Sequence, residues 1–185
     1  SGEFEDKVFC DIFAGTGAVA RSVKTEVKQV ITNDLESYSF VLNKNYIENH
    51  IPFSYSHLID ELNSLDLKDD GFIYKNYCFG GHGERQYFSD TNGKKIDTIR
   101  AKINEWQKAS KINANEYYFL LASLLESADK VANTASVYGA YLKHLKKTAQ
   151  KELIIEPALF ILSNNSNEVY NEDSNVLIKE IKGDI

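Results

Sequence analysis

The chain has 185 residues, 43% of them hydrophobic and 26% charged, with a net charge of −6 at pH 7. That balance describes a soluble globular protein, either one domain or one domain carrying a sizeable insertion. No apolar run approaches the ~18 residues of a membrane span, and no cationic-then-apolar leader opens the chain. Cys10 and Cys78 are the only cysteines and form no CxxC pair, which argues against a disulfide framework or a zinc knuckle and fits a reducing cytoplasm.

From the N-terminus, Ser-Gly-Glu-Phe with no methionine anywhere reads as a processed end or a cloning remnant. The apolar run at 8–13 reads as a short buried strand, and 18–25 as a helix. Residues 29–33 are a second strand around Val30 and Ile31. A second helix is expected over 37–49, where Tyr38, Val41, Leu42, Asn45 and Tyr46 fall at helical spacing before Pro52 stops it. A short helix at 58–65 precedes the acidic run at 66–70. Strands alternating with helices over short links point to an α/β protein with a doubly wound, mostly parallel sheet.

The texture changes at Gly71. Phe72, Tyr74, Tyr77 and Phe79 make an aromatic stretch, and Gly80-Gly81-His82-Gly83 a glycine loop. Helices are expected at 97–108, with Ile96, Ile99, Ile103 and Trp106 on one stripe, and at 115–131. A third is expected at 138–150, with Lys143, Lys146 and Lys147 on its outer face. The alternating pattern then resumes, with strands at 153–155 and 158–163, a polar loop at 164–167 and an amphipathic helix at 176–181. Gly183-Asp184-Ile185 reads as the opening of a further strand, so the sheet reads as incomplete. The chain thus divides into an α/β part at 1–70, a mainly helical part at 71–151 and a return to the sheet at 152–185. The middle part is net basic and both flanks are net acidic. This suggests a polyanion contact confined to the middle, against the plainer reading of solvated lysine-rich helices. Cys78 and His82 are four apart, but two lone ligand types make a poor metal site and no metal centre is expected.

Asp11-Ile12-Phe13-Ala14-Gly15-Thr16-Gly17 holds the most chemistry. A strand that breaks at two glycines and re-emerges as a helix lets the backbone approach a nucleotide-like ligand. Gly15-Thr16-Gly17-Ala18-Val19-Ala20 matches the dinucleotide pattern formally, with Asp34 at the end of the next strand for a ribose. Asp11, just ahead of the turn, suits a ligand with a free ammonium better than one with two phosphates. S-adenosylmethionine has that ammonium, a ribose for Asp34, and a sulfonium that tolerates Phe13 through cation–π attraction. A nicotinamide cofactor stays open at this point.

D-x-F-x-G-x-G followed one strand later by Asn33-Asp34 resembles the cofactor motifs of the Dam-like (alpha-group) DNA adenine-N6 methyltransferases. Four further stretches are similar to restriction–modification members of that group. They are Tyr74-Lys75-Asn76-Tyr77, Gly83-Glu84-Arg85-Gln86-Tyr87-Phe88, Asn92-Gly93-Lys94-Lys95-Ile96-Asp97-Thr98-Ile99-Arg100, and Ala132-Asn133-Thr134 leading to Tyr138-Gly139-Ala140-Tyr141-Leu142-Lys143. Tyr170-Asn171-Glu172-Asp173-Ser174 with Leu177-Ile178 resembles the family's third motif.

The resemblance implies the α/β fold of the class I S-adenosylmethionine-dependent methyltransferases, incomplete here, with a mainly helical insertion for target recognition. It places Asp11, Phe13, Gly15 and Gly17 at the methionine end of the cofactor, Asp34 at the ribose and Asp173 at the adenine. It implies double-stranded DNA as partner, with the target adenine flipped out of the duplex, and assigns DNA contact to Arg85, Lys94, Lys95 and Arg100. Trp106, Tyr117, Tyr118 and Phe119 fall on apolar stripes and are expected in the core, while His82 is expected to face solvent. The family's catalytic Asp-Pro-Pro-Tyr does not occur, since the only prolines are Pro52 and Pro157, and its upstream Gly-Gly-Lys segment is missing too. The expectation is therefore a fragment ending just before the catalytic motif, holding no catalytic residue and inactive alone, or a natural half completed by a second polypeptide. A nicotinamide-dependent oxidoreductase and a non-catalytic DNA-binding module with a vestigial turn are the readings from other classes.

Overall fold

A computed structural model describes residues 2, 4–68, 71–81, 86–135, 142 and 144–185. It forms two compact units, Ser1–Phe53 with Ala158–Ile185, and Ser54–Pro157. The units divide at 53/54 and 157/158 rather than at 70/71 and 151/152, so the short helix near residue 60 packs with the helical unit.

In the first unit, β1 (Val8–Asp11), β2 (Gln29–Asn33) and β3 (Glu168–Tyr170) form a parallel sheet in that order. Val8 pairs with Gln29, and Ile31 with Glu168. Helix α1 (Ala18–Val23) crosses from β1 to β2 and α2 (Ser37–Asn43) follows β2. Ala20, Val27, Val30 and Ile47 form the apolar centre, with Phe9, Val23 and Val169 packed against it. Asp184 and Ile185 run along the free edge of β1, where Asp184 N–H donates to Val8 O at 2.8 Å and Ile185 O accepts from Cys10 N–H at 2.9 Å. These slanted bonds follow the parallel pattern, but 183–185 form no strand of the three-stranded sheet.

The sequence-based reading differs from the structure at four further places in this unit. The helix expected at 176–181 stands at Ser174–Leu177, because Asp173 caps it two residues earlier, and 178–180 are turns. β3 was not expected, because three residues after a run of asparagines give no periodic signal. The helix expected over 37–49 changes after Asn43 into a π-helical turn, Lys44–Glu48, closed by Asn49 N–H to Lys44 O at 3.1 Å. Residues 158–163 make no strand, since side chains capture their carbonyls. Asn45 donates to Ala158 O at 2.8 Å and Lys24 to Ile161 O at 2.7 Å.

The second unit is helical: α3 (Ser56–Asn63), α4 (Phe72–Tyr77), α5 (Asp90–Lys108) and α6 (Ala114–Lys130). Ile99, Ile103, Trp106, Phe119, Leu120 and Ala122 are buried in it. Helix α5 begins at Asp90, well before residue 97, because Ser89 caps it by accepting from Asn92 N–H at 3.3 Å. Gly93 therefore lies inside a helix. A Cβ there would sit 2.2 Å from Cys78 Sγ, so its absence lets α4 and the segment after it approach α5 closely. Asn113 and Glu116 form a capping box at the start of α6. Residues 153–155 are not a strand either. Asn63 holds the Ile155 backbone through both its carboxamide atoms, at 2.8 and 3.1 Å, and Asn92 Oδ1 accepts from Leu153 N–H at 2.9 Å. The helix expected over 138–150 is absent from its described part, where 147–150 are turns, and the rest lies outside the described residues. Among the described residues no helix is long and apolar enough to cross a membrane.

Candidate functional site

The C-terminal ends of β1, β2 and β3 meet at one edge of the first unit, where a parallel sheet presents its ligand crevice. Gly15 and Gly17 both take left-handed backbone, with φ of 52° and 73°. A side chain is excluded at Gly17 on a second count, since its Cβ would lie 2.5 Å from Asn43 Oδ1. The turn is held from three sides. Asp34 Oδ2 accepts from Gly15 N–H at 2.8 Å, Ala14 N–H donates to Asn33 O at 2.9 Å, and the Gly15 carbonyl takes hydrogen bonds from Ser39 Oγ and from Asn43 Nδ2.

Asp34 thus has a structural duty, its other oxygen accepting from Glu36 N–H at 2.9 Å. Each oxygen accepts one of these bonds, and a carboxylate oxygen can accept more than one. Asp11 is half-buried at the end of β1 and accepts from Phe13 N–H at 3.2 Å. Phe13 itself is 75% exposed, an aromatic face presented to solvent beside the turn. Asp173 is exposed and caps α7 (Ser174–Leu177) by accepting from Asn175 N–H at 2.8 Å. The structure therefore brings Asp11, Phe13, Gly15, Gly17, Asp34 and Asp173 to one edge of one unit. Cys10 lies among them. Burial, and then the Asp11 carboxylate, push its thiol up, which keeps it neutral and poorly nucleophilic.

Several polar side chains shape this edge without a role read from sequence, although Asn33 and Asn171 stand inside the quoted motifs. Asn33 joins β2 to the segments after β1 and β3, Ser39 and Asn43 prop the turn, and Asn171 donates to the carbonyls of Asp34 and Leu35 at 2.7 and 2.9 Å. The one available signal was spacing. Ser39 and Asn43 stand four apart on a helix and so share a face.

In the second unit, Arg100 lies on α5 as expected, and Lys94 and Lys95 lie on the same helix, ahead of its expected start. Lys94 Nζ sits 4.7 Å above the Tyr74 ring. Lys95 is nearly buried and pairs with Glu152 at 2.9 Å. The Arg100 guanidinium donates to Asn104 and, at 3.3 Å, to the Tyr117 hydroxyl. Arg85 and His82 lie outside the described residues. Trp106 and Phe119 are core residues, while Tyr117 and Tyr118 are half-buried and stack edge to face at 5.3 Å. Burial, then Asp90 and Asp97, push the Cys78 thiol up to about 12, so it is inert.

The chain is 58% identical over 181 residues to the type II methyltransferase M.NlaIII of Neisseria lactamica, covering 97% of this chain and 54% of that protein. It is 40% identical over 182 residues to the type II methyltransferase M.CviAII of Paramecium bursaria Chlorella virus 1, covering 96% of this chain and 53% of that protein. With the modification methylase StsI of Streptococcus sanguinis it shares 36% over 188 residues, 97% of this chain and 29% of that protein. The chain thus spans about half the length, or less, of these curated relatives. No solved structure gives a significant match. Neither the oxidoreductase nor the bare DNA-binding module is favoured by these relatives. The model of the D12 class N6 adenine-specific DNA methyltransferase family matches residues 2–185, and the chain belongs to that family.

Proposed function

We propose that these residues supply the cofactor cradle and the target-recognition part of an S-adenosylmethionine-dependent DNA adenine-N6 methyltransferase of a restriction–modification system. The observation that carries this is the clasp of Asp34 on Gly15 N–H, with Asp11 and Asp173 at the same edge of the sheet. The residues fit the cofactor chemically. A carboxylate suits its ammonium (Asp11), its ribose hydroxyls (Asp34) and its adenine amino group (Asp173), and Gly17 keeps the backbone bare where a Cβ has no room. When bound, S-adenosylmethionine supplies an electrophilic methyl on a sulfonium. The chain's own task is to hold and orient: Asp11 and Phe13 at the methionine end, the glycine turn beneath, Asp34 and Asp173 at the nucleoside.

The order of glycine turn, helical unit, and then the Asp173 motif supports the alpha-group, Dam-like arrangement. Double-stranded DNA is the proposed substrate, contacted through Arg85, Lys94, Lys95 and Arg100. Lys95 would have to exchange Glu152 for a phosphate, so recruiting it carries the cost of breaking that pair. Asp-Pro-Pro-Tyr does not occur in the 185 residues. Residues outside them, on the same or a complementing polypeptide, supply the group that receives the adenine. Two free cysteines accord with a cytoplasmic setting.

Titration calorimetry with S-adenosylhomocysteine and NADH tests the cradle, and methyl transfer to DNA tests the division of labour. The expected result is binding of S-adenosylhomocysteine in preference to NADH, with methylation only when a polypeptide carrying Asp-Pro-Pro-Tyr is added. Preference for NADH overturns the cofactor reading. Methylation at a normal enzymatic rate by the 185 residues alone overturns the division.

A further inference from the structure

We propose that Asn33 is the positioning residue of this cofactor site, setting the three cofactor carboxylates relative to one another through a single buried carboxamide. The proposal rests on the cofactor reading above and adds a role that the motif resemblance does not assign.

Asn33 ends β2 and is 1% exposed. Its Oδ1 accepts from Glu172 N–H at 2.9 Å. Its Nδ2 faces Ile12 O at 3.2 Å, Glu172 O at 3.0 Å and Ser174 Oγ at 3.3 Å. Ser174 Oγ in turn donates to Ile12 O at 3.0 Å, closing a ring of polar atoms between the segments that follow β1 and β3. Ile12 stands between Asp11 and Phe13, Glu172 and Ser174 flank Asp173, and Asp34 is the next residue after Asn33. One side chain therefore touches a neighbour of Asp11 and both neighbours of Asp173, from the residue that itself precedes Asp34.

The chemistry of the ring requires an amide. One partner is an N–H and two are backbone carbonyls, so the group needs an acceptor on one branch and a two-hydrogen donor on the other, which fixes its orientation. Asp would keep the acceptor and turn a second oxygen toward the carbonyls of Ile12 and Glu172. Ser or Thr would be too short to span both. Without the amide donor, the Glu172 carbonyl loses its hydrogen bond from Asn33 and Ile12 O keeps only that from Ser174 Oγ, which loosens the segments that bear Asp173 and Phe13.

A double-mutant cycle on S-adenosylhomocysteine affinity tests this, with the folded state of each variant checked by thermal unfolding. Asn33→Asp is expected to weaken binding by about tenfold, the equivalent of one or two lost hydrogen bonds. If Asn33 acts by placing Asp173, that loss shrinks to about twofold in an Asp173→Ala background. A general effect on folding would give the same factor in both backgrounds, and that result overturns the proposal, as does unchanged affinity in Asn33→Asp. Should Asn33→Asp not fold, Ser174→Ala opens the same ring more gently. Its expected loss is about threefold, again diminished with Asp173→Ala, and equal losses in both backgrounds overturn the proposal. A wild-type chain that binds no S-adenosylhomocysteine overturns the cofactor reading itself and this proposal with it. Normal wild-type binding with no coupling overturns the Asn33 role alone.

Discussion

In the helical unit, Ile96, Ile99, Ile103 and Trp106 line one face of α5, and Phe119, Leu120 and Leu124 lie buried on α6. In the sheet unit the apolar centre is small, and much of the irregular backbone is tied down by side-chain amides and one ammonium. Asn165 donates to the carbonyls of Lys24 and Val27, and Asn167 accepts from Val30 N–H while donating to Ile47 O. Fully buried Lys24 gives its three protons to the carbonyls of Tyr46, Asn49 and Ile161 at 2.8, 2.8 and 2.7 Å. Periodic burial is non-directional and suits long regular helices. Short strands joined by loops leave backbone groups that only local donors and acceptors can satisfy.

The contrast can be broken by substitution. Trp106→Ala, which empties the centre of the helical unit, is expected to cost about 3–5 kcal/mol in chemical denaturation. A loss near zero would mean that the apolar stripe is not what holds that unit. Gly17→Ala should come next, combining about 1–3 kcal/mol of left-handed strain with the contact against Asn43. Gly15→Ala, with open space around its Cβ, should cost less and retain more S-adenosylhomocysteine affinity in calorimetry. Equal effects at the two glycines would remove the role given to Asn43.

Lys24→Met keeps the aliphatic stem and deletes the charge. If apolar burial held this unit the change would be neutral, whereas losing three hydrogen bonds from a buried ammonium should cost roughly 1–3 kcal/mol. Burial pushes the Lys24 ammonium down from 10.5 to about 8. Between those two pH values the folded chain has shed a proton that the unfolded chain still holds. This contribution to stability therefore rises with pH across that window, and the rise should vanish in Lys24→Met. A pH profile of the unfolding midpoint that is the same in both proteins would sink the assignment. Asn113→Ala, which opens the capping box of α6, should have the smallest effect, about 1 kcal/mol.

The same contrast explains what could be read from the amino acids. Helix α6 and the C-terminal half of α5 were legible because their apolar residues recur at helical spacing. Helix α5 was truncated in that reading because a glycine at 93 argues against a helix interior, and its packing on Cys78 is visible only in the structure. The glycine turn and its carboxylates were legible because left-handed backbone and charge are local properties of residue type. The loss of the expected strands at 153–155 and 158–163 was not, since it depends on Asn45, Asn63, Asn92 and Lys24, all distant in sequence. Asn33 stood in plain view beside Asp34, but four hydrogen bonds to the segments after β1 and β3 leave no periodic trace.

The wide turn at Lys44–Glu48 has a consequence for inheritance. A π turn is an α-helix carrying one residue too many, and each residue turns the helix by about 100°. That surplus residue aims the carbonyls of Tyr46 and Asn49 together at Lys24. Deleting one residue between 44 and 48 would restore a regular ladder, swing one of those carbonyls away, and leave a buried cation one acceptor short. Among natural sequences of this fold, a one-residue gap at this turn should therefore travel with an uncharged residue in place of Lys24, each change being harmful without the other.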